Sequence, residues 1–264
     1  MATQSKSQFA TIALDYEGSI ARIVLNNPPV NVITVPMMEE MVAALEDVEG
    51  RSEIAVLVLR GAGKGFSAGV DVAAHTPDKV RNMLVTFHGV VRMLAASRKV
   101  TLAAVHGSCL GGGAELAAVC DLAFTTESAT WGFPEISLGC FPPVAAAMLA
   151  PVIGQKRAAD LILTGRKITG DAAFAMGLAN EAVPDGELDE LVEETCERLR
   201  SLSPSSLQLT KKALYAWDAA HFTKGLDRAE KIYLEELMQS EDAKEGISAF
   251  MQKRQPVWKG RRAN

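Results

Sequence analysis

The sequence predicts an α/β protein, and three observations carry that reading. Two short alternating segments open the chain, a strand, loop and helix order repeats between residues 54 and 125, and the chain reads as almost wholly helical from residue 186 onward. With 264 residues, 48% of them hydrophobic, the chain can build one large core and a smaller appendage.

Residues 11–16 and 20–25 alternate apolar and polar side chains around a tight turn at Glu17-Gly18, which reads as a hairpin ended by Asn26-Asn27-Pro28-Pro29. Over 36–49, Met37, Met38, Met41, Val42 and Leu45 recur at helical spacing, with acids on the opposite face. These methionines read as core packing. The run 54–59 is apolar throughout, as in a strand buried on both faces. A glycine-rich loop follows at 61–71, then a long amphipathic helix over 78–97. A strand at 101–105, a helix at 113–120 and a strand at 121–125 repeat the pattern, which implies right-handed crossovers. Pro142-Pro143 can open a helix over 144–150, and Pro151 is expected to limit it. Residues 155–164 read as a helix, 168–171 as an N-cap segment for a helix at 172–176, and 181–183 as a short strand. Beyond residue 186 the helices are expected to break at Pro204, near His221 and near Ser240, with no further strand. The change of composition near residue 200 divides a core, 1–200, from a helical region, 201–264, whose amphipathic helices suit a subunit interface.

Composition excludes several classes. A formal net charge of -5 without a long Lys/Arg run argues against nucleic acid or an anionic membrane as partner. Cys109, Cys120, Cys140 and Cys196 lack metal-site spacing and read as reduced, buried thiols. His75, His88, His106 and His221 are scattered, so no metal is expected. Residues 1–8 are polar, without the apolar segment of a secretory leader, and no later window reaches about 18 apolar residues. A cytoplasmic protein is expected.

The stretch His106-Gly107-Ser108-Cys109-Leu110-Gly111-Gly112-Gly113-Ala114-Glu115-Leu116 is the part around which the rest is read as organised. Its glycines allow close approach of a ligand to the backbone, and a helix N-terminus offers unpaired N–H groups to negative charge developing on a carbonyl oxygen. Glu115 follows within that turn, and Glu135 lies twenty residues on in Gly132-Phe133-Pro134-Glu135-Ile136. Taken singly, each acid has a plain reading, as a first-turn helix acid or a surface loop acid. Together with the loop Gly61-Ala62-Gly63-Lys64-Gly65-Phe66-Ser67-Ala68-Gly69-Val70-Asp71, they suggest acid/base chemistry beside an activated carbonyl. That loop is no phosphate loop, since Lys64 is followed by Gly65.

Four segments in this order resemble the enoyl-CoA hydratase/isomerase (crotonase) family: Phe66-Ser67-Ala68-Gly69-Val70-Asp71, Leu110-Gly111-Gly112-Gly113-Ala114-Glu115-Leu116, Pro134-Glu135-Ile136, and the stretch 240–250. The resemblance implies a spiral of β-β-α repeats with a C-terminal helical trimerisation subdomain, assembled as a trimer or a dimer of trimers. It implies an acyl-CoA thioester as substrate, with coenzyme A part of that substrate and no separate cofactor. By position, the oxyanion hole falls on the N–H groups of Val70 and Gly112, and the two catalytic carboxylates on Glu115 and Glu135. Ala68, Gly69, Asp71, Gly111, Phe141 and Pro143 fall at substrate-binding positions. Keeping both glutamates favours hydration over simple isomerisation.

Two departures from the family pattern stand out. The segment Asn27-Pro28-Pro29-Val30-Asn31 is short and carries no basic residue, so contacts to the CoA phosphates are expected from Lys64, Lys79 or C-terminal lysines of a neighbouring subunit. Pro143 stands where ordinary hydratases have a glycine whose N–H helps hold water, and proline has none. With Pro29-Val30-Asn31-Val32-Ile33, the stretch 138–146 resembles the members that hydrate alicyclic dienoyl-CoA thioesters, which implies cyclohexa-1,5-diene-1-carbonyl-CoA as substrate and a role in anaerobic aromatic degradation. A linear 2-enoyl-CoA hydratase, an isomerase, and a non-catalytic binding trimer remain the alternatives. The last would be marked by loss of a glutamate.

Overall fold

Five of the six strands of the main sheet run parallel, which explains the unbroken apolar run after residue 54: both faces of its strand are covered. A computed structural model of the chain describes residues 9–216 and 219–260. Residues 1–8, on which the reading of no secretory leader rests, lie outside the described residues.

The hairpin of β1 (Ile12–Glu17) and β2 (Ile20–Leu25) is antiparallel, and α1 (Val35–Gly50) follows it. Then come β3 (Val56–Gly61), α2 (Val80–Ala96), β4 (Val100–Val105), β5 (Ser108–Leu110), α3 (Gly112–Val119), β6 (Leu122–Thr126) and β7 (Thr130–Gly132). After them come α4 (Pro143–Ile153), α5 (Gln155–Thr164), β8 (Lys167–Thr169), α6 (Gly170–Met176), β9 (Glu181–Val183) and α7 (Leu188–Arg200). The chain closes with α8 (Pro204–Leu214), α9 (Ala219–Glu235) and α10 (Glu241–Met251). The large sheet has the order β1-β2-β3-β4-β6-β9, and a small one the order β5-β7-β8. The break expected near His221 falls between α8 and α9, where 217 and 218 lie outside the described residues.

The sheet has two apolar faces. Ile20, Val56, Val58, Leu102, Ala104 and Phe124 meet Leu188, Val192 and Cys196 of α7 on one side. Ile23, Leu57, Leu59, Ala103 and Val105 join the larger core on the other, which also takes Leu226 and Tyr233 from α9 and Ile247 from α10. Ends of helices are fixed locally: the side chains of Thr34, Thr169, Ser203 and Ser240 each cap the helix that follows.

Two expectations are corrected. Pro151 does not limit its helix, because α4 continues through it to Ile153. A proline so near a C-terminus forfeits one intrahelical bond and leaves the preceding turns intact. The small sheet was not expected: its three-residue strands are too short to show alternation, and their pairing partners define them.

The loop after β3 is clamped from both sides. Phe66 and Ser67 donate to the carbonyls of His106 and Ser108, while Ala68 donates to Val30 O and Ile33 donates to Gly69 O. Asn31, in the left-handed region at φ 52°, is the brace. It is buried, and its Nδ2 donates to Ala62 O at 2.8 Å, Gly65 O at 2.9 Å and Phe66 O at 3.2 Å. Replacing Asn31 with Ala strands three carbonyls, and urea unfolding should show a loss of about 2–4 kcal/mol. A loss below about 0.5 kcal/mol would contradict the bracing role.

Candidate active site

The carboxyl ends of β3 and β4 lead into the loop 61–71 and the turn before α3, and these two segments form one wall of a cavity of about 280 Å3. Crevices at such strand ends are the usual ligand sites of parallel sheets. Ala68, Gly69, Val70, Gly111, Gly112, Glu115, Glu135, Phe141 and Pro143 all line it. Asp71 does not line it: its carboxylate accepts from Ala73 N at 3.0 Å and caps the short 3-10 turn Val72–His75, and Lys64 and Lys79, expected near the CoA phosphates, do not line it either.

Two backbone amides face this cavity. Around Val70, Gly69 O and Asp71 N bond to Ile33, so the N–H of Val70 projects the opposite way. Gly112 is the first residue of α3, and its N–H has no intrahelical acceptor. The two loops touch: a Cβ on Gly69 would lie 3.6 Å from Gly112 N, and one on Gly112 would lie 2.6 Å from Val70 Cγ2. Gly111 is fixed by chemistry as well as by its φ of 52°, because a Cβ there would sit 2.7 Å from Glu135 Oε1.

The carboxylates are held differently. Glu115, in the first turn of α3 and 3% exposed, accepts from Ala145 N at 3.0 Å. Ala145 belongs to the first turn of α4, where Pro142 and Pro143 have no N–H to offer, so the free amides that remain at that helix end are aimed at Glu115. Glu135 lies in the 3-10 turn Pro134–Leu138, and its Oε2 is buried without a hydrogen-bond partner among the described residues. Burial pushes Glu115 up to about 7, opposed by the Ala145 and Val144 amides. Burial, and then the charge of Glu115, push Glu135 up to about 8. Ionisation of both at once is therefore opposed, and the amide donated to Glu115 makes it the readier of the two to ionise, leaving the shared proton to favour Glu135.

Sequence reasoning missed several polar side chains of the same cavity: His88 on α2 and Tyr233 on α9, and His75 and Ser137 in the two 3-10 turns. The signal for His88 was a polar residue on an otherwise apolar helix face; Tyr233 lay in the region assigned to subunit contacts. Lys167 of β8 also lines the cavity. Among the described residues no cluster of His, Cys, Asp and Glu could hold a metal ion, and no helix is long and apolar enough to cross a membrane.

The model of the enoyl-CoA hydratase/isomerase family matches residues 15–261. Cyclohexa-1,5-dienecarbonyl-CoA hydratase of Thauera aromatica is 38% identical over 248 residues, 94% of this chain and 96% of that protein. Among solved structures, an enoyl-CoA hydratase from Mycobacterium avium subsp. paratuberculosis superposes with a TM-score of 0.85 at 26% identity, covering 95% of this chain and 99% of the other. An enoyl-CoA hydratase/isomerase from Xanthobacter autotrophicus Py2 gives 0.85 at 28% identity, covering 93% and 94%. Fold and relatives define an enzyme of the hydro-lyase class with the crotonase architecture. The chain belongs to the enoyl-CoA hydratase/isomerase family.

Both carboxyls are raised from 4.5, so between about pH 4.5 and 8 the folded chain binds more protons than the unfolded one. The associated stability is complete below that window and is lost as pH rises through it. Glu135→Gln keeps the shape and removes the buried charge. Calorimetry should find its Tm above wild type by about 2–4 °C at pH 8 and by little at pH 5. The same difference at both pH values would contradict the assignment.

Proposed function

We propose that the chain hydrates a cyclic conjugated dienoyl-CoA thioester, cyclohexa-1,5-diene-1-carbonyl-CoA, as a step of anaerobic aromatic degradation. The observation that carries the reading is the placement of Glu115, Glu135 and the amides of Val70 and Gly112 on one buried cavity. The relative from Thauera aromatica, named for this substrate and alike over nearly its whole length, supports the cyclic acyl group.

In this reading the thioester oxygen accepts from Val70 N–H and Gly112 N–H, each donor lowering the barrier by about 3–4 kcal/mol. Glu115, held toward its ionised form by the α4 amides, takes a proton from water as the water oxygen bonds to the β carbon. Electrons move through the diene onto the thioester oxygen, giving a dienolate. Glu135, the better proton holder, then protonates the far end of the diene, and the sum is addition of one water. Proton exchange between the carboxylates restores the pair. Pro143 lines the pocket without an N–H for water, which leaves the carboxylates as its anchors. Ala68, Gly69, Gly111 and Phe141 shape the wall against the acyl-CoA, and coenzyme A enters as part of the substrate with no further cofactor called for. Four buried free cysteines suit a cytoplasmic setting.

The same reading assigns residues 1–200 to the acyl-CoA-binding core and 201–264 to contacts in a trimer or a dimer of trimers. Leu209 and Leu214, 63% and 68% exposed, support it. So does a second cavity of about 340 Å3 lined by Ala95, Ala96, Met148, Val152 and Phe222. A monomer mass by light scattering at micromolar concentration would rule the assembly out.

An acyl-CoA panel assayed by mass spectrometry for the gain of one water tests the chemistry. The cyclic dienoyl-CoA should exceed crotonyl-CoA in kcat/KM, Pro143→Gly should narrow that preference, and Glu115→Gln or Glu135→Gln should each cut turnover by about 100-fold or more while ester binding persists. Higher kcat/KM for crotonyl-CoA would replace the cyclic reading with a linear 2-enoyl-CoA hydratase. Near-wild-type turnover in both glutamine variants would sink the two-carboxylate mechanism.

A further inference from the structure

The mechanism above uses neither of the two polar groups that α2 and α9 bring to the acyl cavity. His88 is fully buried, and its Nδ1 lies 2.6 Å from Glu230 Oε2 of α9. Glu230 is in turn fixed by Arg92, 3.6 Å away, which also pairs with Asp227 at 2.8 Å. The other ring nitrogen of His88, Nε2, is buried with no hydrogen-bond partner among the described residues. Burial pulls His88 below the ordinary histidine range and so favours the neutral ring. With a carboxylate at Nδ1, the single proton sits there, and Nε2 is left as a bare acceptor.

Tyr233 follows Glu230 by three residues, on the same side of α9. It is 1% exposed, its ring meets Phe141 edge-on at 5.2 Å, and its hydroxyl lies beside the Cys140 thiol. Its contact with the Cys140 thiol, which itself donates to Leu138 O, is a weak one, and the hydroxyl has no stronger hydrogen-bond partner among the described residues. Burial pushes it far above the ordinary range, so it stays protonated and can donate.

An acceptor and a donor on residues that line one cavity complement a group that both donates and accepts. A hydroxyl does so. A carbonyl oxygen would leave Nε2 unmatched, and an alkyl chain would leave both unmatched. We propose that His88 Nε2 and Tyr233 Oη form a hydroxyl-binding subsite in the acyl cavity, occupied by a hydroxyl on the acyl ring or by a resident water. The subsite rests on the acyl-CoA reading and extends it from the reacting carbons to the rest of the acyl group.

Calorimetric binding of inert, saturated ring thioesters separates the subsite from turnover. The probes are cyclohexanecarbonyl-CoA and its ring-hydroxylated isomers, measured on wild type, His88→Leu and Tyr233→Phe, with the Tm of each free protein. If the acyl hydroxyl is the occupant, one isomer binds wild type about tenfold more tightly than the unsubstituted ester, and both variants reduce that ratio to about twofold or less. If a resident water is the occupant, wild type binds the esters alike and Tyr233→Phe lowers the Tm, because a satisfied hydroxyl has been removed. Tyr233→Phe is the safer variant, since His88→Leu also strips Glu230 of its hydrogen bond to the imidazole. A preference that survives both substitutions overturns the subsite. So does the absence of any preference together with a Tm unchanged or raised by Tyr233→Phe, as removal of an unpartnered buried hydroxyl would give. Binding of none of the esters would instead overturn the acyl-CoA reading, and the subsite with it.

Discussion

Two carboxyl groups buried on one cavity cannot both carry charge without a large cost, since each has left water and each repels the other. Much of the surrounding structure can be understood as settling which of them is ionised. The free amides at the start of α4 are aimed at Glu115 and lower the cost of its charge, whereas Glu135 Oε2 has no donor at all among the described residues. The proline pair sharpens this asymmetry. By taking the first amides out of the helix end, it leaves the donors of Val144 and Ala145 to face Glu115. In the proposed mechanism one carboxylate thereby serves as base and its neighbour as acid, although both are glutamates within a single pocket.

In the proposed mechanism that asymmetry is useful only if the reacting carbonyl is held at a fixed distance from both groups, a task that falls to the loops after β3 and β4. Neither is a free loop. Residues 66–69 are stitched between 30–33 on one side and 106–110 on the other, and Asn31 ties three carbonyls of the first loop to the hairpin exit. The glycines let these strands of backbone approach more closely than a Cβ permits, as at Gly111 beside Glu135. The segment that lacks a basic residue for CoA phosphates thus has a structural duty, shaping the wall that presents the Val70 amide.

Long elements were legible in the sequence because periodicity survives over six or more residues: β1 to β4, α1, α2 and α5 fall within about two residues of expectation. The glycine loops and both glutamates were legible for a different reason, since their residue types are hard to account for in a plain core. What could not be read was set by partners far away in the chain. The strands of the small sheet exist only through their ladder, and Pro151 is tolerated because α4 needs little from its last turn. His88 and Tyr233 are 145 residues apart and share a cavity only after α9 packs against α2 and α4. Asp71 shows the reverse: its place in a motif suggested ligand contact, and its carboxylate is spent on a helix cap.

The shared proton is the centre of this account, and a carboxyl-selective NMR titration of the 13C-glutamate-labelled chain measures it most directly. Wild type should show two buried glutamates that titrate well above the ordinary 4.5, with Glu135 the last to ionise, and Glu115→Gln should move Glu135 downward once its charged neighbour is gone. Two glutamates titrating independently near 4.5, with Glu135 unmoved by Glu115→Gln, would contradict it.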